Sequence, residues 1–349
     1  MKFLHLSDLH IGKSVNGFSM LDDQQYVFRQ IISYLRSERP HAVVIAGDVY
    51  DRAVPGVEAV RVFDDFLTEL SEEDVSILLI SGNHDSPERL GYASRLLSDK
   101  RIYLRGTFDG TLRPITLLDD YGEIHFWLLP FIKPSSIRNG TEKDGMSAYD
   151  DALATTLASA TIDYDNARNV LVSHQFFTRT GVAPVRSESE SNPVGGLDAI
   201  DATQVMRFDY VALGHLHGTQ TVGAEHVRYA GSPLKYSFSE WRQEKSVTLV
   251  ELRQKGELAV TRLPLSPRHD LREIKGRLDV LLSEEIVAQA DREDYLHVVL
   301  TDEEEIVDPM GKLRGVYPNV MALDFENSRT RIDISTIQAN LGRVERLSP

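Results

Sequence analysis

Five short apolar runs, each typical of a buried β-strand, are each followed directly by a polar cluster. The clusters carry carboxylates, an amide and imidazoles, and they read Asp8-Leu9-His10, Gly47-Asp48-Val49-Tyr50-Asp51, Gly82-Asn83-His84-Asp85, Ser173-His174-Gln175 and Gly214-His215-Leu216-His217. Near-continuous apolar strands are typical of covered sheets, and ligands of open α/β sheets bind beyond the carboxyl ends of the strands. The pattern therefore predicts an α/β fold in which five strand ends bring these clusters to one side.

The first hundred residues alternate strands with helices. Residues 22–38 carry apolar side chains at helical spacing, and Pro40 ends that helix because proline has no backbone N–H to donate. By the same criteria, helices are predicted over 57–70 and 87–97, and strands over 2–7, 42–46 and 75–80. This β-α-β-α-β-α order predicts a sheet with helices on its faces.

The next part of the chain is less regular. We predict β-hairpins over 101–129, a helix over 147–160, and β segments over 226–263. Residues 178–196 form a long polar loop that contains Arg179 and Arg186. Loops of this length in compact domains are usually functional or disordered.

A domain boundary is predicted near Pro264 to Pro267, which divides the chain into residues 1–265 and 266–349. The second part is predicted to be a small α+β unit, and a ferredoxin-like topology is one candidate for it. Its predicted elements are a strand over 268–274, a helix over 277–290, a strand over 295–300, a proline-broken segment near Pro309 and a strand over 319–325.

Composition limits the chemistry of any site. The chain has no cysteine, which excludes disulfides and thiolate metal ligands and suits a reducing cytoplasm. No secretory segment and no apolar run of the ~20 residues needed to span a bilayer is visible, so we expect a cytoplasmic protein without membrane contact. The net charge of −15 argues against a broad nucleic-acid surface. Two divalent ions with two carboxylates would nevertheless leave a site locally positive.

The clusters offer ligands that suit divalent metal ions. Asp8 and His10 lie two residues apart, so an extended backbone would place both side chains on one face. Asp48 has two carboxylate oxygens and can bridge two ions, and the amide oxygen of Asn83 can bind one as a neutral ligand. Taken singly, each cluster could equally be a polar turn at a strand end. Asp51 could support a ligand or could cap the helix that follows.

The histidines fall into two roles. His215 and His217 lie two residues apart, so two neighbouring metal ions could each bind one of them, and His174 adds one further imidazole. His84 directly follows Asn83, so it should point elsewhere, where it can protonate a leaving oxygen or hold a phosphoryl oxygen.

The order D-x-H, G-D-x-x-D, G-N-H-D, a single His and G-H-x-H resembles the calcineurin-like metallophosphoesterase family over roughly residues 1–250. Three flanking segments are similar to the SbcD nucleases, which are bacterial double-strand-break repair nucleases: Leu6–Gly12, Ala46–Arg52 and Ser81–Ser86. Residues 213–217 and 226–233 are similar to them as well. The resemblance implies a four-layer α/β/β/α sandwich with a small C-terminal domain that caps DNA.

The same resemblance implies a role for each site residue. Asp8, His10 and His217 would bind one ion, whereas Asn83, His174 and His215 would bind the other. Asp48 would bridge the two ions, and His84 would be the acid that contacts the phosphoryl group. The ions would be Mn²⁺ by preference, with Mg²⁺ possible. Archaeal and eukaryotic relatives carry histidine where this chain has Asp51, so the role of that histidine does not transfer.

The resemblance also implies partners. These are DNA, an SbcC-type coiled-coil ATPase, and a second copy of the chain bound through the helices near 57–70 and 87–97. The family binds the ATPase through a helical segment after the capping domain. Because the chain ends at Pro349, that segment is expected to be short or missing. Four cations near the clusters or in the long loop could contact phosphates or could be ordinary surface charge: Lys13, Arg52, Arg89 and Arg179.

Two other functions compete with a DNA nuclease. A phosphatase or a cyclic-nucleotide phosphodiesterase of the same superfamily would carry the same motifs. A non-catalytic scaffold for DNA or the ATPase would not need the complete set of seven ligands, so the sequence favours an enzyme.

Overall fold

The structure is a computed structural model and describes residues 1–133, 148–179, 184–190 and 199–328. Its first elements are, in chain order, β1 (Lys2–Leu6), β2 (Ser14–Val15), β3 (Phe18–Ser19), α1 (Leu21–Glu38), β4 (Ala42–Ala46), α2 (Val57–Glu72), β5 (Ser76–Ile80), α3 (Pro87–Leu90), α4 (Ser94–Leu97), β6 (Ile102–Arg105), β7 (Pro114–Asp119) and β8 (Gly122–Leu129). The next are α5 (Ala148–Ser159), β9 (Arg168–Ser173), β10 (Phe177–Thr178), β11 (Ile200–Asp201), β12 (Tyr210–Leu213), β13 (Gln220–Val222), β14 (Ala224–Tyr229), β15 (Ser246–Leu252) and β16 (Leu258–Pro264).

These elements form two six-stranded mixed sheets. The first has the order β16-β15-β1-β4-β5-β6, in which β1, β4, β5 and β6 run parallel. The second has the order β13-β14-β12-β9-β8-β7, in which β8, β9, β12 and β14 run parallel. The predicted α/β architecture is therefore confirmed, with the two sheets that the family resemblance implies.

The two sheets pack face to face around an apolar core. Alternate side chains of each strand enter it, since successive residues of a strand point to opposite faces. In β12, Tyr210 and Ala212 face the other sheet, whereas Val211 and Leu213 pack in a second core cluster. That second cluster includes Leu153 of α5, so a helix covers the outer face of the second sheet.

Helices α1 and α2 pack against each other through stacked rings of Phe28 and Phe66, whose centroids lie 4.4 Å apart. Helix α2 also contacts β5 of the first sheet. Helix α1 ends where Arg39 adopts a left-handed backbone conformation, one residue before Pro40. These helices occupy the positions that the apolar spacing predicts.

Two predictions for the middle of the chain are wrong. The helix predicted over 87–97 is two short helices, because Ala93 has a φ of 59° and interrupts the helical hydrogen bonding. The hairpins predicted over 101–129 reduce to one, β7 with β8. Strand β6 instead joins the first sheet parallel to β5. The loop predicted over 178–196 is described only at 178–179 and 184–190, and its other residues lie outside the described ranges.

The chain divides into two compact units, one of Met1–Ser14 with Ser19–Arg268 and one of Val15–Phe18 with His269–Pro349. The elements of the second unit are β17 (Leu271–Gly276), α6 (Leu278–Leu281), α7 (Glu284–Val287), β18 (Tyr295–Leu300), α8 (Pro309–Arg314) and β19 (Val320–Phe325). Strand β18 pairs in parallel with both β17 and β19, so the described part of this unit is not ferredoxin-like.

Two further predictions fail within this unit. The helix predicted over 277–290 is divided, because Ser283 is extended between α6 and α7. The segment near Pro309 is a helix rather than a break. Asp308 caps it by accepting a hydrogen bond from the backbone N–H of Gly311, and proline is favourable in the first turn. Among the described helices, none is both long and apolar enough to cross a membrane.

Candidate active site

Every predicted metal ligand lies just beyond the carboxyl end of a strand in one of the two sheets. Asp8 and His10 follow β1, Asp48 follows β4, Asn83 follows β5, His174 follows β9, and His215 and His217 follow β12. The ends of the two sheets meet, since the backbone N–H of His215 donates to both carboxylate oxygens of Asp8 at 3.1 Å. The structure thus brings all seven residues into one site, as the sequence pattern predicts.

The backbone of the site is held in an uncommon conformation. Asp8, His10, Asp48 and His215 have φ values of 53°, 43°, 49° and 110°. Non-glycine residues rarely adopt positive φ, and each such residue costs roughly 1–3 kcal/mol unless its surroundings enforce it. Four of them in one cluster indicate that the fold maintains strain in order to aim these side chains.

Glycines allow the strand ends to approach closely. A Cβ atom on Gly82 would lie 2.1 Å from Oδ1 of Asp48, and one on Gly47 would lie 2.4 Å from Nδ1 of His174. Gly47 also has a φ of 90°. Both motifs therefore need glycine for space, and Gly47 needs it for conformation as well.

Asp8, His10 and His217 form one group of potential ligands. All three are buried, and their ligand atoms lie within 4.8 Å of one another. The Nε2 atoms of His10 and His217 are only 3.1 Å apart. Two neutral imidazole lone pairs repel at this distance unless a proton or a cation lies between them. The geometry therefore fits a bound cation.

Asn83, His174 and His215 form a second group. Nε2 of His174 and Nδ1 of His215 both lie 3.0 Å from the amide oxygen of Asn83. The backbone carbonyl of Ala46 can only accept, so Nδ1 of His174 carries a hydrogen and Nε2 is the nitrogen that can bind a metal ion once its proton has left. Two imidazole nitrogens and one amide oxygen thus converge on one point.

Asp48 lies between the two groups. Its Oδ2 is 3.2 Å from Nε2 of His174 and 3.7 Å from Nε2 of His10. Nitrogen and oxygen donors of this kind suit Mn²⁺, Mg²⁺, Zn²⁺ and Fe. The residues present therefore fit a metal centre.

His84 contacts Asp48 from a different direction. Its backbone N–H donates to Oδ1 of Asp48 at 2.8 Å, and its Nδ1 donates to the carbonyl of Asp51 at 3.0 Å. This second bond leaves Nε2 as the nitrogen for another partner. A ring nitrogen of His84 also lies within 4.8 Å of ligand atoms of His10 and Asp48, so His84 borders the cluster closely.

Burial and mutual contact shift several pKa values in the site. Burial lowers the pKa of His215 to about 3 and raises the pKa of Asp8. Burial would also lower the pKa of His174, but the carboxylate of Asp48 outweighs it and raises that pKa to about 9. Conversely, burial would raise the pKa of Asp48, but His174 holds that pKa well below its usual range. Without metal, a proton is therefore held between Asp48 and His174.

Asp51 lies beside Lys13 and His10 and does not cap the next helix. Gly56 occupies the N-cap of α2, so the capping interpretation is wrong. Oδ1 of Asp51 accepts from Nζ of Lys13 at 2.8 Å and lies 3.8 Å from Nδ1 of His10. Lys13 is largely buried in this pair, which makes it a partner of Asp51 rather than a surface cation.

The other three predicted phosphate contacts lie at the surface. Arg52 is 79% exposed, with Nε 3.6 Å from Oδ2 of Asp51, which places it at the rim of the site. Arg89 is exposed on α3. Arg179 donates to the carbonyl of Gly223, which directly precedes β14. Because β14 runs parallel to β12, this start of β14 lies at the edge of the sheet away from the cluster. The structure thus brings Arg52 to the site and does not bring Arg179 there.

Sequence reasoning missed a cation beside the cluster. The guanidinium of Arg186 lies over the ring of Phe176, 3.5 Å from its centroid, and Phe176 is next to His215. Arg186 also contributes to lowering the pKa of His215. Its place in the long polar loop was visible in the sequence, but no motif distinguished it from Arg179.

Sequence reasoning also missed the groups behind the ligands. Asp85 accepts backbone hydrogen bonds from Val49, Tyr50 and Gly82, and so ties two strand ends together. Its position at the end of the Gly82–Asp85 cluster could have indicated such a turn. Glu240 and Lys245 form a buried ion pair next to His217, and nothing in their local sequence points to it.

The fold and the site define a metallophosphoesterase. The sequence model of the calcineurin-like phosphoesterases matches residues 1–219. A second model, described as the Type 5 capsule protein repressor C-terminal domain, matches residues 267–349. The expectation of a metal-dependent phosphoesterase is therefore confirmed.

Two relatives define the family more narrowly. The chain is 34% identical to the SbcD subunit of the nuclease SbcCD of Staphylococcus epidermidis over 325 residues, which cover 93% of this chain and 85% of that protein. It is 32% identical to the protein of the same name from Staphylococcus saprophyticus subsp. saprophyticus, over 93% of this chain and 84% of that protein. The chain belongs to the SbcD family of nuclease subunits.

Proposed function

We propose that this nuclease hydrolyses phosphodiester bonds at DNA ends or hairpins, with two divalent metal ions, by preference Mn²⁺ and otherwise Mg²⁺. The observation that carries the proposal is the convergence of two donor groups on either side of the Asp48 carboxylate. A phosphatase would need the same groups. The similarity to SbcD nuclease subunits over 93% of the chain favours DNA as substrate.

Each donor group would hold one ion. Asp8, His10 and His217 would bind the first, and Asn83, His174 and His215 would bind the second. Asp48, which lies within 3.7 Å of both groups, would bridge them. Metal binding would displace the proton between Asp48 and His174, because a histidine ligand must be neutral.

When bound, the two ions would lower the pKa of a water molecule towards neutral pH, so that it could act as the nucleophile. They would also neutralise charge on the phosphate oxygens. The chain itself would position a proton donor. Nδ1 of His84 donates to the carbonyl of Asp51. In the imidazolium form, which carries hydrogen on both nitrogens, its Nε2 would contact the phosphoryl group and give its proton to the leaving oxygen. Lys13 keeps Asp51 in place for this task.

Cations at the rim would contact the flanking phosphates. Arg52 and Arg89 are exposed near the Asp48 and Asn83 strand ends, and Arg186 lies beside His215. We propose all three as DNA contacts. Residues 266–349 would cap the DNA and begin the linker to a segment that binds an SbcC-type ATPase. The enzyme would act in the cytoplasm, at the nucleoid.

We further propose that the chain forms a homodimer through α2 and the segment 87–97. Several apolar side chains there are exposed to solvent: Val57 at 62%, Val60 at 44%, Tyr92 at 82% and Leu96 at 76%. Large exposed apolar patches are typical of protein interfaces, and these side chains are the candidates for such a patch. The broken helix at 91–93 would present Tyr92 on this surface.

An assay on two substrates tests the proposed reaction. The protein is incubated with Mn²⁺ and either end-labelled linear and hairpin DNA or p-nitrophenyl phosphate, with and without an SbcC-type partner. We expect the parent protein to cleave DNA and to hydrolyse p-nitrophenyl phosphate only weakly. EDTA should abolish the DNA cleavage, and Asp48→Asn should lack it. Efficient hydrolysis of p-nitrophenyl phosphate with no DNA cleavage would instead support a phosphatase, and no cleavage together with no bound metal would support a scaffold.

A further inference from the structure

A buried network behind His217 has no part in the reaction described above. Glu240, which lies between β14 and β15, has a side chain with no exposed surface. One of its carboxylate oxygens, Oε1, is 3.2 Å from Nδ1 of His217, and the other, Oε2, accepts from Nζ of Lys245 at 2.6 Å. A buried carboxylate in contact with a site histidine is the arrangement that orients metal ligands in many proteins.

The contacts fix which nitrogen of His217 carries hydrogen. The hydroxyl of Ser189 donates to Oε1 of Glu240 at 2.6 Å, so its oxygen is left to accept from Nδ1 of His217 at 2.8 Å. Both neighbours of Nδ1 therefore accept. Nδ1 must carry the hydrogen, and Nε2 presents its lone pair 3.1 Å from Nε2 of His10.

Lys245 fixes the carboxylate in turn. Its Nζ donates to the backbone carbonyl of His217 at 2.9 Å and to the hydroxyl of Ser232 at 2.9 Å, in addition to Glu240. The ammonium thus neutralises the buried carboxylate and ties it to the backbone of the residue that it orients. A buried carboxylate without this partner would be costly.

We infer that Glu240, held and neutralised by Lys245, is a positioning residue that presents Nε2 of His217 to a divalent metal ion at the Asp8–His10–His217 group. The inference rests on the proposed function, since it assumes that His217 is a ligand. It adds a part of the site that lies about twenty residues beyond the last motif histidine. Loss of such an outer partner weakens metal affinity by roughly 10–100-fold.

Metal binding and stability must be measured separately. The single variant Glu240→Gln would leave the buried ammonium of Lys245 without its counter-charge, so it would lose stability whether or not Glu240 orients His217. The double variant Glu240→Leu with Lys245→Met removes both charges and keeps apolar volume. Asp119→Asn is the matched control, since it breaks the Arg168–Asp119 ion pair at the opposite end of β9. Each protein is examined by Mn²⁺ calorimetry, by denaturant unfolding without metal, and by ¹⁵N NMR of the histidine rings.

For the double variant we expect one of two Mn²⁺ sites to weaken roughly 10–100-fold. We also expect its metal-free form to stay folded, and His217 to lose its exclusive Nδ1–H form. Asp119→Asn should lose stability and keep both affinities. The inference would be overturned if the folded double variant bound two Mn²⁺ ions as tightly as the parent does. It would also be overturned if His217 of the parent carried its hydrogen on Nε2. Either result would leave the proposed function intact. A parent that binds no Mn²⁺ would instead overturn the proposed function.

Discussion

At the scale of single residues, the site separates side chains that can hold a metal from one that can move a proton. Asn83 and His84 are adjacent in the chain, yet the Asn83 oxygen meets two imidazoles while His84 is held by the Asp51 carbonyl. This division follows from the turn after β5, which points consecutive side chains in different directions. The adjacency of Asn83 and His84 in the sequence predicts this division, and the hydrogen bonds support it.

His84→Ala should lower turnover of DNA by roughly 10²–10⁴-fold, because it removes the proton donor. Both metal ions should remain bound, since each donor group keeps its three ligands and Asp48. Steady-state cleavage combined with metal analysis of the purified variant checks this. A variant that loses a metal ion would instead show that His84 is a ligand. This is the competing interpretation, since a ring nitrogen of His84 lies within 4.8 Å of ligand atoms of His10 and Asp48.

His5 gives a prediction about pH and stability. It lies between the sheets, where Nδ1 accepts from the hydroxyl of Tyr210 and Nε2 donates to the carbonyl of Leu213. Burial lowers its pKa from 6.5 to about 3. The unfolded chain therefore binds a proton that the folded chain excludes, so stability is full above pH 6.5 and falls as the pH drops towards 3.

The contribution of His5 to this slope is at most about 1.4 kcal/mol per pH unit. The free energy of unfolding of His5→Gln should fall less steeply with decreasing pH, by up to that amount. Glutamine can retain the Tyr210 contact and does not titrate. Denaturant unfolding in EDTA between pH 6.5 and 4 measures the difference, and His41→Gln, at an exposed site, controls for removal of an imidazole. Equal slopes for parent and His5→Gln would refute the explanation.

At the scale of elements, the sequence predicts the strands better than the short helices. Strand β4 has the predicted bounds, and β5 differs by one residue, because continuous apolar runs that cross a core leave little freedom. The helix over 87–97 could not be predicted correctly, since nothing local reveals that Ala93 is held in a left-handed conformation. Likewise, the Glu240–Lys245 pair meets His217 only through the tertiary fold.

The turn after β5 gives a prediction at this scale. In Gly82→Ala the new Cβ would meet Oδ1 of Asp48 at 2.1 Å, so either Asp48 or the strand end must move. We expect a loss of roughly 1–3 kcal/mol in the free energy of unfolding and weaker Mn²⁺ binding. Gly56→Ala is the control, because its nearest neighbour is a flexible carboxylate at 3.8 Å. Unchanged metal affinity in Gly82→Ala would contradict the close-approach argument.

At the scale of the whole molecule, the two sheets explain why five separate motifs form one site. Strand ends from both sheets meet along one edge of the sandwich, so motifs up to about two hundred residues apart become neighbours. The net charge of −15 does not prevent phosphate binding, because the metal ions would set the local charge. The motif order predicted this site, whereas the arrangement of the strands in two sheets needed the resemblance or the structure.

Association of two copies is the prediction that belongs to this scale. Tyr92→Ser with Leu96→Ser should shift the protein from dimer to monomer, because it removes exposed apolar area from the proposed interface. Light scattering after size exclusion measures the mass. Leu118→Ser is the matched control, since Leu118 is 74% exposed on β7, elsewhere on the surface. A parent protein that is monomeric at micromolar concentration, or a double variant that stays dimeric, would contradict the proposal.

We propose that one carboxylate, Asp48, joins two metal sites built from the ends of both sheets. Anomalous diffraction from crystals of the protein soaked in Mn²⁺ tests it most directly. We predict two peaks roughly 3.5–4 Å apart, one on each side of Asp48. One peak should touch His10 and His217, and the other Asn83 and His174. A single peak that does not touch Asp48, or no peak within this cluster, would contradict the account.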